Sequence, residues 1–231
     1  MPTLLITGAN RGLGLELCTQ FLDLGWQVHA SCRNPDSATR LSVLADKHPQ
    51  LLTTHALDVS QSEQISDLKT QLGDMPIDIL FNNAGVYAGE SAEFGHSNTE
   101  VWLEAFNINV ISPMKMMEAF VDNVANSKHK IIGSMSSKMG SISDNSRGGS
   151  YAYRSTKTAL NMVMMNAAHD LKAKGIAAVI LHPGWVRTDM GGPNGELSVE
   201  ESATSLRNIL TNASIEDTGK FFDIDGSIIP W

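Results

Sequence analysis

"TLLITGANRGLG", residues Thr3 to Gly14, decides how the rest of the chain is read. Its first half is a short apolar run of strand length. Its second half packs Gly8, Gly12 and Gly14 into seven residues, in a TGxxxGxG pattern. The spacing differs from the GxGxxG of the common dinucleotide fingerprint, but the physics is related. Glycines let the backbone turn sharply and approach a pyrophosphate, and the next helix offers unpaired N–H groups at its N-terminus. A tight turn with no ligand remains the alternative reading of this stretch alone.

Outward from that turn, short apolar runs alternate with longer amphipathic segments. "WQVHASC", "LLTTHAL", "IDILFNNAG", "KIIGSMSS", "IAAVILHPG" and "GKFFDIDG" read as further strands. The segments between them read as helices, the longest being "NTEVWLEAFNINVISPMKMMEAFVDNVA" and "YAYRSTKTALNMVMMNAAHDLKAKG". Apolar strands alternating with helices imply a parallel sheet covered on both faces. Right-handed crossovers then give a doubly wound, seven-stranded α/β fold, read here as one domain over residues 1–231. Ligands bind such folds at the carboxyl ends of the strands.

Composition narrows the function classes. Of 231 residues, 42% are hydrophobic, as in ordinary globular proteins. The formal net charge of −8 argues against general affinity for nucleic acid or anionic membrane. The two cysteines, Cys18 and Cys32, form no CxxC pair, and no His/Cys group has metal-ligand spacing, so no metal is expected. No signal peptide and no membrane span are read, which makes the cytoplasm the expected location.

Informative residues fall just after the strands. After the second come Ser31, Cys32 and Arg33, where a site for NAD usually places an acid on the ribose 2′-hydroxyl. Asp36 is later and reads as the N-cap of the next helix. Arg33 can pair with a 2′-phosphate, and Arg11 in the glycine turn can add a second contact, which favours NADP(H) over NAD(H). Asp58, after the third strand, is either an acceptor for an adenine amino group or part of a helix N-cap. After the fourth, Asn82, Asn83, Ala84 and Gly85 allow close backbone approach to a ribose.

These residues resemble the short-chain dehydrogenases/reductases. The chain carries TGxxxGxG, NNAG, the asparagine of "NINV" (Asn109), the serine of "SMSSKMG" (Ser137), YxxxK (Tyr153, Lys157) and "HPGWVRTD", in family order over nearly its whole length. "YAYRSTKTALN", "HPGWVRTDMGG" and "FFDIDGSIIPW" are similar to the C-factor/sniffer branch of carbonyl reductases. The resemblance implies a single-domain Rossmann fold and NADP(H)-dependent reduction of aldehydes and ketones, or oxidation of the alcohols. It implies cofactor contacts from Gly8, Asn10, Arg11, Gly12, Leu13 and Gly14 in the turn, and from Arg33, Asp58 and Val59 at the adenosine end. Asn83, Ala84, Gly85, Tyr153 and Lys157 would come next, then Pro183, Gly184, Val186 and Thr188 around the carboxamide. A homodimer or homotetramer is implied as well.

Carbonyl reduction needs a proton donor beside the hydride. Tyr153 and Lys157 lie four apart on one helical face, where the ammonium, together with the positive charge of an oxidised nicotinamide, would lower a phenol pKa that is normally near 10. The family assigns Ser137 to the substrate oxygen, Asn109 to a water linking Lys157 with solvent, and Lys157 also to the nicotinamide ribose. Ser136 rivals Ser137, and Asn109 and its neighbour Asn107 could equally cap a kink before Pro113. His182 reads as structural, and the methionines of "MKMM" and "NMVMMNAA" as core or subunit-interface packing. Tyr151 points away from Lys157, towards the rim of the site or the helix cap. The short "GGPNGEL" loop suggests an open site for small or medium aldehydes and ketones. A sensing or C-factor-like signalling protein on the same fold is the competing function.

Overall fold

The computed structural model describes residues 1–89 and 93–231. Its centre is a seven-stranded, wholly parallel sheet in the order β3-β2-β1-β4-β5-β6-β7. The strands are β1 (Thr3–Thr7), β2 (Gln27–Cys32), β3 (Leu52–Ala56), β4 (Ile79–Asn82), β5 (Ile131–Met135), β6 (Ala177–Leu181) and β7 (Phe221–Phe222). Every residue of β1, β4, β5 and β6 is buried. That is why these strands read as unbroken apolar runs rather than as alternating ones.

Helices cover both faces. Leu4 and Ile6 of β1 join a core with α1 (Gly12–Asp23), α2 (Thr39–Lys47) and α7 (Val199–Asn212), through Phe21, Leu41 and Leu206. Leu5, pointing the other way, joins a core with α3 (Ser62–Leu72), α5 (Ser112–Ala125) and α6 (Tyr151–Leu171), through Ile65, Phe120 and Leu160. Met116, Met117 and Met164 fill that second core, while Met114 and Met162 are exposed. The methionine-rich stretches thus serve both packing and surface.

Three local features differ from the sequence reading. Asp36 is not a helix N-cap: it sits in a 3-10 turn, Pro35–Ser37, and α2 starts at Thr39 after Ala38. Pro35 fixes its own φ and supports that extra turn, which delays the helix. The long segment from Asn98 is not one regular helix. Helix α4 (Thr99–Phe106) passes into a π-helical stretch, Asn107–Ile111, before α5. "GKFFDIDG" supplies only two strand residues.

Strand order reverses between β1 and β4, so the crevice opens at their carboxyl ends. At the far edge, His29 Nδ1 and His55 Nε2 meet at 3.0 Å, and His55 Nδ1 reaches Gln71 Oε1 at 3.3 Å. Burial, and for His29 the neighbouring ring, hold both imidazoles below their ordinary pKa, His29 at about 4. The folded state therefore favours neutral rings. Their contribution to stability is complete above about pH 6.5 and is lost as pH falls towards 4. Urea midpoints measured across that range should fall with pH, and fall less in a His29→Leu/His55→Leu variant.

Candidate functional site

The glycine turn is pinned from the neighbouring strand. Thr7 Oγ1 accepts the N–H groups of Asn83 (3.1 Å) and Ala84 (3.0 Å). In return Asn83 Nδ2 donates to the carbonyls of Thr7 (2.8 Å) and Gly8 (3.1 Å). Gly8 and Gly12 adopt φ of +69° and +52°, the left-handed region that side chains avoid. Gly14 has no room for a side chain: a Cβ would lie 2.3 Å from the Gly8 carbonyl oxygen and 2.6 Å from Asn83 Nδ2. The α1 N-terminus carries neither a side-chain cap nor an acidic residue in its first turn, so its N–H groups are left for a ligand.

From this turn a groove of about 1170 Å³ runs across the carboxyl ends of the strands. Of the site residues expected from sequence, all but Asn109 line it. Arg33 is joined in the groove by Arg40 of α2, which carried no motif, and neither has a carboxylate partner among the described residues. Arg11 behaves differently. Its Nη1 donates to Asp189 Oδ2 at 2.8 Å, a partner 178 positions away, and so bridges the groove to the loop after β6. Asp58 lies in the groove with one carboxylate oxygen engaged by Ser60, N–H and hydroxyl both. The Asn83 amide nitrogen is occupied in holding the turn, so the backbone is what this residue offers a ligand.

At the other end, Tyr153 and Lys157 are buried on one face of α6. Lys157 Nζ donates to the Met135 carbonyl (2.8 Å) and lies 5.7 Å from the centre of the Tyr153 ring. Ser137 caps a 3-10 turn, its Oγ accepting the Met139 N–H at 3.2 Å, and its side chain also hydrogen-bonds Tyr153. Ser136, by contrast, donates its hydroxyl to Asn161 Oδ1 at 2.6 Å. Tyr151 is exposed and packs on Phe94, not on the groove. Tyr87, absent from every motif, packs its ring on Tyr153 at 5.0 Å and meets Ser150 Oγ with its hydroxyl at 3.1 Å.

In the protein alone, burial governs the electrostatics of both groups. Burial pushes the Tyr153 phenol up to about 12; the Ser137 bond opposes this and Tyr87 adds to it. Burial brings Lys157 down to about 8. Desolvation is the largest influence on both groups, and it disfavours the charged form of each. The protein alone therefore holds the phenol protonated.

Asn109 acts from behind the site. Its Oδ1 accepts the Val86 N–H (2.9 Å), and its Nδ2 donates to the Val86 carbonyl (2.9 Å) and to Thr156 Oγ1 (3.0 Å). The π-helical stretch aims this side chain at the loop after β4. A Cβ on Gly85 would lie 3.1 Å from Asn109 Oδ1 and 3.5 Å from Lys157 Nζ. His182 lines the groove with Nδ1 buried and unpartnered, held neutral by burial with a pKa lowered to about 4.

Residues 2–197 match the family model for short chain dehydrogenases. The chain belongs to the short-chain dehydrogenase family. This short-chain dehydrogenase is 36% identical to the C-signal protein of Myxococcus xanthus, over 68% of its own length and 93% of that protein's. It superposes with a TM-score of 0.93 and 31% identity on the carbonyl reductase Sniffer of D. melanogaster, each chain covered in full. It also superposes, with a TM-score of 0.93 and 31% identity, on an NADPH-bound carbonyl reductase from chicken fatty liver, over 100% of this chain and 99% of that one. The Rossmann fold and the carbonyl reductase resemblance are thereby borne out, and the chain is an oxidoreductase of this family.

Asn109→Leu should leave both Val86 backbone groups without their partner. A stability loss of about 1–3 kcal/mol is expected, measured by urea unfolding.

Proposed function

We propose that this short-chain dehydrogenase is an NADP(H)-dependent enzyme that reduces aldehyde and ketone carbonyls, or oxidises the corresponding alcohols, with Tyr153 as acid and base. The observation that carries this is the buried Tyr153–Lys157 face beside Ser137, at the end of a groove that begins on an uncapped helix N-terminus. The residues fit a dinucleotide. Gly14 excludes any side chain from the turn, and the α1 N–H groups face the groove. Arg33 and Arg40 supply unpaired charge where a 2′-phosphate would lie. Pro183, Gly184, Val186 and Thr188 line the opposite wall for the carboxamide.

Bound there, NADPH supplies the hydride for the carbonyl carbon. Ser137, whose Oγ already accepts from Met139, turns its own proton to the substrate oxygen. Tyr153, protonated at neutral pH, would give its proton to that oxygen and so complete the alcohol. The phenolate left behind regains a proton past Lys157, which sits on the same face. Asn109 fixes the Val86 backbone and keeps one Oδ1 lone pair for the water expected there. The exposed Trp185 and Met190 at the groove mouth support small or medium substrates in an open site.

The whole stretch 1–231 serves as one cofactor-binding domain in this reading. Exposed Leu103, Ile111, Met114 and Met162 on α4 to α6 support a homodimer or homotetramer. Among the described residues no helix is long and apolar enough to cross a membrane, in keeping with the proposed cytoplasmic location. Similarity to C-signal favours a second reading, an NADP(H)-sensing or signalling protein with little turnover.

Tyr153→Phe should reduce carbonyl turnover by about 100-fold or more while NADPH still binds, measured by NADPH oxidation and by fluorescence titration. Wild-type protein that binds NADPH but turns over no carbonyl compound favours the signalling reading. Arg33→Asp should weaken NADPH by about tenfold and narrow or reverse the preference over NADH. Wild-type protein preferring NADH at equal concentration would overturn the cofactor reading.

A further inference from the structure

The groove carries eight cationic side chains against four carboxylates, in a chain whose formal net charge is −8. The proposed cofactor accounts for Arg33, Arg40 and Lys157, and Arg11 is paired with Asp189. Four other cations line the groove: Lys138, Arg147, Arg154 and Arg187. Two of them have partners: Lys138 pairs with Asp223 at 3.3 Å, and Arg187 donates to the carbonyls of Gly195 and Glu196. Arg147 and Arg154 have no carboxylate within 4.0 Å among the described residues, although Glu104 and Asp144 line the same groove.

Arg154 is the more telling of the pair. It comes directly after Tyr153 in α6 and is only partly exposed. One hydrogen bond, from Nη1 to the Met139 carbonyl at 3.2 Å, orients its guanidinium, and its Nε is buried with no partner. A half-buried charge with a single neutral acceptor is costly unless an anion completes it. Arg147 stands on the exposed loop between Ser141 and Ser150 and faces the same groove, so it can approach an anion held by Arg154 from the solvent side.

We propose that Arg147 and Arg154 form an anion subsite, and that the preferred substrates are carbonyl compounds carrying a carboxylate, such as oxo acids and aldehyde acids. This rests on the carbonyl-reducing reading above. The carbonyl lies against Tyr153 and Ser137, and the carboxylate receives the two guanidinium groups, whose planar forks match its geometry.

The test compares 4-formylbenzoate with its neutral methyl ester as substrates. In wild-type protein the acid should be favoured about tenfold in kcat/KM, the size of one charge-assisted hydrogen bond, and the ratio should shrink with added salt. Arg154→Gln and Arg147→Gln should each bring the ratio towards one. A wild-type ratio near one, or a ratio that neither variant moves, would overturn the subsite. Reduction of the ester keeps the carbonyl reading intact in either case. If neither compound is reduced, that reading fails, and calorimetric binding of 4-formylbenzoate in the presence of NADP decides the subsite alone. Binding about tenfold weaker in Arg154→Gln supports it, and no binding, or equal affinity in the variant, refutes it.

Discussion

The seam between β1 and β4 governs the rest of the molecule. Four hydrogen bonds cross it between Thr7–Gly8 and Asn83–Ala84, side chain to backbone in both directions. This is the point where strand order reverses and where the glycine turn has to be shaped. Asn83 holds the carbonyls of Thr7 and Gly8 in place, and Gly14 then packs beneath with no space for a methyl group. The seam thereby sets the direction of α1, the exposure of its first N–H groups and the floor of the groove. Gly8, Asn83 and Ala84 are only half-buried at the floor of the groove, and the four bonds act together to fix the turn.

A second framework holds the chemical end. Asn109 ties the chain after β4 to α6 through Val86 and Thr156, and the π-helical stretch gives its side chain that reach. Lys157 is held from β5 by the Met135 carbonyl. Tyr153 is therefore supported from three elements while it contributes only a hydroxyl to the groove. The protein environment keeps that hydroxyl protonated, which suits the acid role proposed for it.

Much of this was legible in the sequence, because strands that are buried on both faces leave continuous apolar runs and turns leave glycines. Tyr153, Lys157 and Ser137 were placed by a motif, and the structure brings them together. What the sequence concealed was pairing at a distance. Arg11 finds Asp189 across the groove, and no local pattern announces a partner so remote. Tyr87 reaches Tyr153 through a loop conformation, and its position shortly after Gly85 was the only available hint. Arg40 reads as one more helix surface charge until the fold turns it into the groove. Spacing along a helix reports which face Lys157 shares with Tyr153 but not how deeply the two are buried, and in the protein alone burial raises the phenol pKa.

Arg33 and Arg40 hang from the end of β2 and from α2, at the outer part of the sheet, and form no ion pair with the rest of the protein among the described residues. Tyr153 and Lys157 are carried by α6, and Ser137 by the turn after β5. The two groups share a groove but stand on opposite halves of the sheet. Under the proposed function, descendants of this chain can drift between cellular redox pools by changing surface arginines alone, with the proposed proton donor and its neighbours untouched. Such separability makes the fold easy to redeploy: adopting a new electron donor and adopting a new reaction are independent evolutionary moves.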